Sequence, residues 1–463
     1  MLRLITLLLL LPALSGCGAW LRHNAAPAEI SLPPNWRASN TGVGYLENNE
    51  NWWHAFGDPQ LSGLIAQVLT HNSDLVIAGL QLRQSRLGTQ LVNTNLTPDV
   101  GASASASNSR QLQSNTPSVE SYSAGFSLSY ELDLWGKLAR TREQSHWSSE
   151  ASAEDLQNTI LMLIGTTAQH YWNIARLNQL ITLHNTRLHL AERTGQLVET
   201  KYQAGAAGER DRLTNQQTLL AQRHQLRTLG EQLENARNAL ALIYNQPHLN
   251  RAPEIDALDT GQNIGVPLAL PVEVIARRPD VRAAEWRLRA TLAGNDVARL
   301  SFFPSLTLGA SLNAGHTLFS QWFSNQSLAQ SLTTSLPFLQ WRTVQLTIAQ
   351  SELEVKQAEE SFRKQVLSAL VEVEDALAQR ETSHIQRENQ RTTLAISQQL
   401  LVLTQSQYNA GQVALQVLLD AQDNVLNQQI SLIESQYSYL TASMKLWQAI
   451  GGGETRYTGE EES

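Results

Sequence analysis

A self-similarity at an offset of 206 constrains this chain of 463 residues more than any other feature, because a unit present twice must find two like places in the fold. Asn72-Ser73-Asp74-Leu75 is answered by Arg278-Pro279-Asp280-Val281, and Leu96-Thr97-Pro98 by Phe302-Phe303-Pro304. The same step carries Trp135 to Trp341, Tyr202-Gln203-Ala204-Gly205 to Tyr408-Asn409-Ala410-Gly411, and Leu240 to Leu446. All five anchors keep the one offset, so the copies carry no net insertion between them.

Within each copy the periodicity changes in the same order. From about Leu61 to Asn95 apolar residues recur at helical spacing. Then Val100, Ala102, Ala104 and Ala106 alternate with Gly101, Ser103, Ser105 and Ser107, which is the period of a strand. After a polar turn the alternation returns with Tyr122, Ala124, Phe126, Leu128, Tyr130 and Leu132 against Ser121, Ser123, Gly125, Ser127, Ser129 and Glu131. The second copy repeats it with Leu306, Leu308, Ala310 and Leu312, then Leu328, Leu332, Leu336 and Phe338. Strands of about 10 residues with one greasy and one polar face suit a membrane β-barrel. Four strands cannot close one, since the smallest such barrels have about eight. A spanning chain must therefore oligomerise; three protomers supply twelve strands, and spacing alone also permits two.

Lys137 to Gln203 contains no proline, and neither does its counterpart Thr343 to Asn409. As helices each would run about 100 Å, far beyond a bilayer. Shorter helices, Asp211 to Tyr244 and Leu415 to Ile450, turn back after the breaks at Gly205 and Gly411. The segments read as a signal peptide over 1–16, a lipidated N-terminal stretch over 17–60, and a first repeat over 61–250 with its β-hairpin near 100–134. A linker over 251–270, a second repeat over 271–450 with its hairpin near 305–339, and a disordered acidic tail over 451–463 complete the chain.

Arg3, the apolar run from Leu4 to Leu14 and the ending Leu14-Ser15-Gly16-Cys17 form a secretion signal. The run is too short to span a bilayer. Cys17 is the only cysteine, so it forms no internal disulfide; its position resembles the lipobox of bacterial lipoproteins, which implies cleavage before it and lipidation of its thiol and amino group. Gly18 at the next position implies the outer membrane. With 42% apolar and only 16% charged residues, Gln, Asn, Ser and Thr must wet the surface. A net charge of -8 without a basic stripe argues against nucleic acid.

Trp52-Trp53-His54-Ala55-Phe56-Gly57-Asp58-Pro59, Tyr130-Glu131-Leu132-Asp133-Leu134-Trp135-Gly136-Lys137, Arg277-Arg278-Pro279-Asp280-Val281-Arg282-Ala283-Ala284-Glu285 and Phe302-Phe303-Pro304-Ser305-Leu306 together carry a resemblance. The chain resembles the outer membrane factor family of efflux lipoproteins, whose relatives include TolC-type exit ducts. The resemblance implies a mixed α/β membrane protein with the TolC-like fold: a homotrimer with a 12-stranded outer-membrane β-barrel, four strands per chain, and a long periplasmic α-helical barrel. It further implies a periplasmic adaptor (membrane fusion) protein, an inner-membrane transporter of the resistance-nodulation-division type and outer-membrane lipids as partners. Apart from the lipid on Cys17, no cofactor is implied.

Several motif residues have structural roles. Pro98 and Pro304 suit helix ends passing into strands, and Gly136 suits the bend from strand to helix. The second copy departs there, with Gln340-Trp341-Arg342 where relatives carry Asp and Gly. For a periplasmic gate the candidates are Asp420, Asp423, Asp211 and Tyr408. Asp420, nine positions after Gly411, matches the aspartate lining the closed aperture in similar proteins; with Asp423 on the same helix face it would form stacked acidic rings in a trimer. A bond from Tyr408 to Asp211 would hold the helix turns closed. The eleven His show no HExxH pairing, and there is no Walker loop or nucleophile motif, so an enzyme is not expected. Drug or small-molecule efflux is the leading reading; a coiled-coil lipoprotein without a pore and a type I secretion duct are the alternatives.

Overall fold

The computed structural model describes residues 33–36, 51–110, 117–245, 254–258, 264–266 and 271–453. The signal peptide, Cys17 and the acidic residues beyond 453 lie outside them. In chain order come α1 (Pro59–His71), α2 (Ser73–Asn93), β1 (Asp99–Ser109), β2 (Val119–Leu132), α3 (Lys137–Gln203) and α4 (Glu209–Ile243). The same succession follows as α5 (Pro271–Arg277), α6 (Pro279–Leu300), β3 (Ser305–His316), β4 (Gln326–Ser335), α7 (Trp341–Asn409) and α8 (Leu415–Ala449). Two compact units result, one holding 80–154 and 282–365, the other 33–36, 51–79, 155–281 and 366–453.

The first unit contains a four-stranded antiparallel sheet in the order β1-β2-β3-β4. Its register places like parity opposite like parity throughout: Ala102 faces Phe126, Phe126 faces Leu312, and Leu312 faces Leu328. Because side chains alternate along a strand, all even positions share one side of the sheet. That side carries Val100, Phe126, Leu128, Leu308, Leu312, Leu328 and Leu332, all exposed. The odd side is hydroxyl-rich, and Ser105 and Ser123 bond across it at 2.8 Å. The apolar alternation anticipated in the fourth strand stops early. Leu336 and Phe338 lie outside β4, because Pro337, which has no N–H for a ladder, opens a 3-10 turn over Pro337–Gln340.

The exits from β2 and β4 into the long helices differ. After β2 the chain bends at Gly136, whose φ of 81° a side chain would resist, and the Asp133 carboxylate accepts the Leu138 and Ala139 N–H groups at 2.9 and 2.7 Å. After β4 the Pro337 turn leads directly into α7, with Arg342 already helical. Pro98 and Pro304 each stand directly before a strand.

The second unit holds the main core. Trp52, Leu61, Leu64, Ile65, Ile164, Tyr171, Leu240 and Tyr439 are almost fully enclosed, and Trp52 stacks on Trp447 at 5.4 Å. The Asp58 carboxylate caps α1 by accepting the Gln60 and Leu61 N–H groups, with Pro59 at the first helical position. The single helix expected over 61–95 is instead α1 and α2, broken at Asn72. Its extended backbone lets the Asn72 side chain accept the Leu75 N–H and donate to the Ile243 carbonyl at 2.8 Å. The same place at offset 206 holds Arg278, which donates to the Ala449 carbonyl at 2.7 Å, and Ala449 stands 206 after Ile243. The residue type changes and the job does not. Gly451 to Gly453, assigned by sequence to the disordered tail, are buried: a Cβ on Gly452 would come within 2.9 Å of Trp52 Nε1 and Leu161 Cδ1, and the Arg277 guanidinium donates to the Gly452 carbonyl.

Candidate functional site

The two helix turns begin alike. Gly205 and Gly411 close α3 and α7 with φ of 71° and 72°, and the next residues, Ala206 and Gln412, donate back to the carbonyls of Lys201 and Gln407. Beyond that they differ. Asp211 accepts the Gly208 N–H at 3.0 Å and fixes the start of α4, whereas the corresponding residue in α8 is Val417, which cannot do so. Arg212 reinforces the first turn, pairing with Glu209 at 2.7 Å and lying 5.1 Å from the Tyr202 ring centre.

Beside the first turn an open cleft of about 660 Å³ lies among α3, α4 and α8. It collects Asp211, Asp420 and Asp423 from two separate helices, along with Arg187, Lys201 and Arg210. Tyr408 is not part of this lining. Within one chain the Asp211 carboxylate is turned to Gly208 rather than to Tyr408.

The two acidic candidates in α8 have different surroundings. Asp420 is exposed and accepts the Gln416 side-chain amide one turn back at 2.8 Å. Asp423 meets the Arg187 fork squarely, with Nε and NH2 donating to its two oxygens at 2.6 and 2.9 Å. Asn427 adds a third bond at 3.2 Å. A bidentate ion pair with Arg187 offsets the charge of Asp423. The sequence reading missed Arg187, 236 residues away. One signal was there: the positions 206 from Arg187 and Asp423 are Thr393 and Gln217, so neither charge has a counterpart at that offset.

One turn before Arg187 on α3, His184 is buried and lies 3.5 Å from Gln222. Burial holds its imidazole below the usual histidine range; the Arg187 charge acts in the same direction and the Gln222 bond opposes it. A base held low in the fold binds its proton more readily when unfolded. Its contribution is therefore present above the unfolded value of ~6.5 and is lost as pH falls through that value toward the folded one. His184→Gln reproduces Gln390, which bonds Gln428 at 2.7 Å at the same place in the second copy. The variant is expected to flatten the pH dependence of thermal unfolding below about pH 6.5. An unchanged slope would discount His184.

Among the described residues no group of three His, Cys, Asp or Glu could hold a metal, and no helix is long and apolar enough to cross a membrane. The family model described as Outer membrane efflux protein matches residues 64–246 and 270–452. The chain is 30% identical over 436 residues to the pyoverdine export outer membrane protein OpmQ of Pseudomonas putida, covering 92% of each. It is 26% identical over 431 residues to the probable outer membrane lipoprotein SilC of Salmonella typhimurium, again covering 92% of each. Among solved structures, the open state of the Neisseria gonorrhoeae MtrE outer membrane channel aligns with a TM-score of 0.81 at 26% identity, over 94% of this chain and 99% of that one.

Proposed function

Since the chain belongs to the outer membrane efflux protein family and is an exit duct of the outer membrane, we propose that it acts as a lipid-anchored homotrimer with an internal duplication. The observation that carries this reading is the sheet. Its apolar residues lie on one side and its hydroxyls on the other, while among the described residues β1 and β4 each lack a neighbour on one edge. In lipid an unpaired backbone edge costs several kcal/mol per group, so these edges must meet other chains. Three chains supply twelve strands for the barrel, and α3, α4, α7 and α8 supply the periplasmic helical barrel. A coiled-coil rod without a pore has no use for such a sheet.

Channels of this family work with a periplasmic adaptor and an inner-membrane pump. In this chain the pump is of the resistance-nodulation-division type, the cargo is a small toxic molecule, and Cys17 carries the lipid. The helix turns at Gly205 and Gly411 meet the adaptor. Similarity to OpmQ, SilC and the cation efflux protein CusC of Escherichia coli supports export of small solutes.

Asp420 forms the acidic ring at the gate, and a Tyr408 to Asp211 bond made between chains holds the turns together. Asp420→Asn is expected to lower cation preference, read as the reversal potential across a planar bilayer. Arg187→Gln, by releasing Asp423, is expected to raise it. Reversal potentials unmoved by both would exclude the ring, and unchanged conductance in Tyr408→Phe would exclude the bond.

A further inference from the structure

The connection between β3 and β4, Thr317 to Asn325, has no ionisable side chain and carries Leu318, Phe319, Trp322 and Phe323. It does not stand away from the sheet. The Phe319 and Trp322 rings pack on Tyr122 of β2 at 5.4 and 5.9 Å, and Phe323 stacks on Trp322 at 5.7 Å and 19°. Tyr122 faces His316 in the register and belongs to the even side, so the connection folds back over the apolar face. Leu318, Phe319 and Phe323 are left 54%, 66% and 66% exposed.

Strand β2 leads into α3 from Leu132, so Tyr122 stands at the end of the sheet away from the long helices. On the even side Tyr122 is the last apolar position of β2 toward this end; Glu120 follows and accepts the Tyr122 hydroxyl at 3.0 Å. The rings therefore collect at the rim of the apolar band, where amphipathic aromatic side chains are at home. The backbone there is satisfied from within. The N–H groups of Gln321, Trp322 and Ser324 meet the carbonyls of Leu318, Phe319 and Gln321 at 3.0, 3.2 and 2.8 Å, and the Leu318 N–H meets His316 Nδ1 at 3.0 Å. A segment bonded in this way can enter a region poor in water. The rings also lean on β2, two strands in from the β4 edge and away from any chain that would pair along it. At the offset of 206 the first copy has Gln113, Thr116 and Pro117 in place of Phe319, Trp322 and Phe323, so the cluster is no part of the repeated scaffold.

We propose that this connection is a lipid anchor: Leu318, Phe319 and Phe323 enter the acyl-chain boundary of the outer leaflet, with Trp322 and Tyr122 as their mount. The apolar surface runs from Phe126 and Leu312 through Tyr122 to Phe319, so lipid that meets the sheet meets these rings as well. Exposure that is unfavourable in water becomes favourable there. Each chain carries this anchor on its second hairpin, which fixes the height of the sheet in the leaflet from one connection. The proposal rests on the exit-duct reading and adds a contact which that reading does not require.

Full-length protein carrying Phe323→Cys is labelled with a nitrobenzoxadiazole maleimide and inserted into phosphatidylcholine vesicles; protein with Cys17 alone gives the background to subtract. The emission is expected to fall more with phosphatidylcholine bearing a nitroxide near the headgroup than with one bearing it near the chain end. The same label at Phe126→Cys, in the middle of the apolar face, should show the reverse order, and at Ser311→Cys, on the hydroxyl side, neither lipid should quench it. A label at 323 that neither lipid quenches, beside one at 126 that is quenched, overturns the anchor and leaves the exit-duct reading standing. Quenching at neither position overturns both. Adding Trp322→Ser is expected to bring the quenching at 323 toward the level at 311 while that at 126, which reports insertion, stays as it was. Quenching at 323 that survives this change intact removes Trp322 from the mount.

Discussion

Arginine in place of Leu312 is expected to destabilise the membrane-inserted form by about 2–4 kcal/mol, while arginine in place of its neighbour Ser311 costs close to nothing. Leu312 lies in the interior of β3 opposite Phe126, and both are well exposed in the single chain. Ser311 lies opposite Ser127 on the other side of the sheet. An arginine on the first face enters hydrocarbon, and one on the second enters the water-filled lumen. Unfolding from phospholipid vesicles in urea measures the difference. Equal losses at the two positions would mean that the even face does not meet lipid.

Arg278→Ala is expected to cost about 3–5 kcal/mol. The guanidinium is only 7% exposed and binds Asp280 through Nε and NH2 at 3.0 and 2.7 Å, Glu372 at 2.6 Å and the Ala449 carbonyl at 2.7 Å. Truncation leaves that buried carbonyl unsatisfied and the Asp280 carboxylate, 20% exposed, without its guanidinium. Glu372 is 43% exposed, so its share is small. Arg278→Lys keeps the charge and loses the fork, so its cost falls between. Asn72→Ala, at the same place in the first copy, should cost about 1–2 kcal/mol, because only neutral bonds are lost. Thermal unfolding of the detergent-solubilised protein gives this ranking. If Asn72→Ala proves the more damaging, the network around Arg278 does not anchor the end of α8.

Local features were legible. The polar and apolar alternation located β1, β2 and β3 closely, and the proline-free stretches located α3 and α7 to within two residues at either end. Gly205 and Gly411 marked the turns because a left-handed residue favours glycine whatever surrounds it. The misses share one cause. Pro337 ended β4 before Leu336, and Asn72 divided the first helix, because a backbone group bonded elsewhere, or lacking its proton, overrides a run of favourable periodicity. At the cleft, the spacing of three places Asp420 and Asp423 on one helix face, and it left the role of Asp423 open. The approach of Arg187 pairs Asp423 with a cation from a distant part of the chain.

The 206-residue offset, the strand faces, the long helices and the glycine turns follow from the sequence itself, since each depends on residues adjacent in the chain or on comparing the chain with itself. The pairing of Arg187 with Asp423 and the shared work of Asn72 and Arg278 were decided by tertiary structure. The reason is geometric. Residues far apart in sequence meet only when helix rotation and strand register bring them together, and those are fixed by the packing of the whole chain.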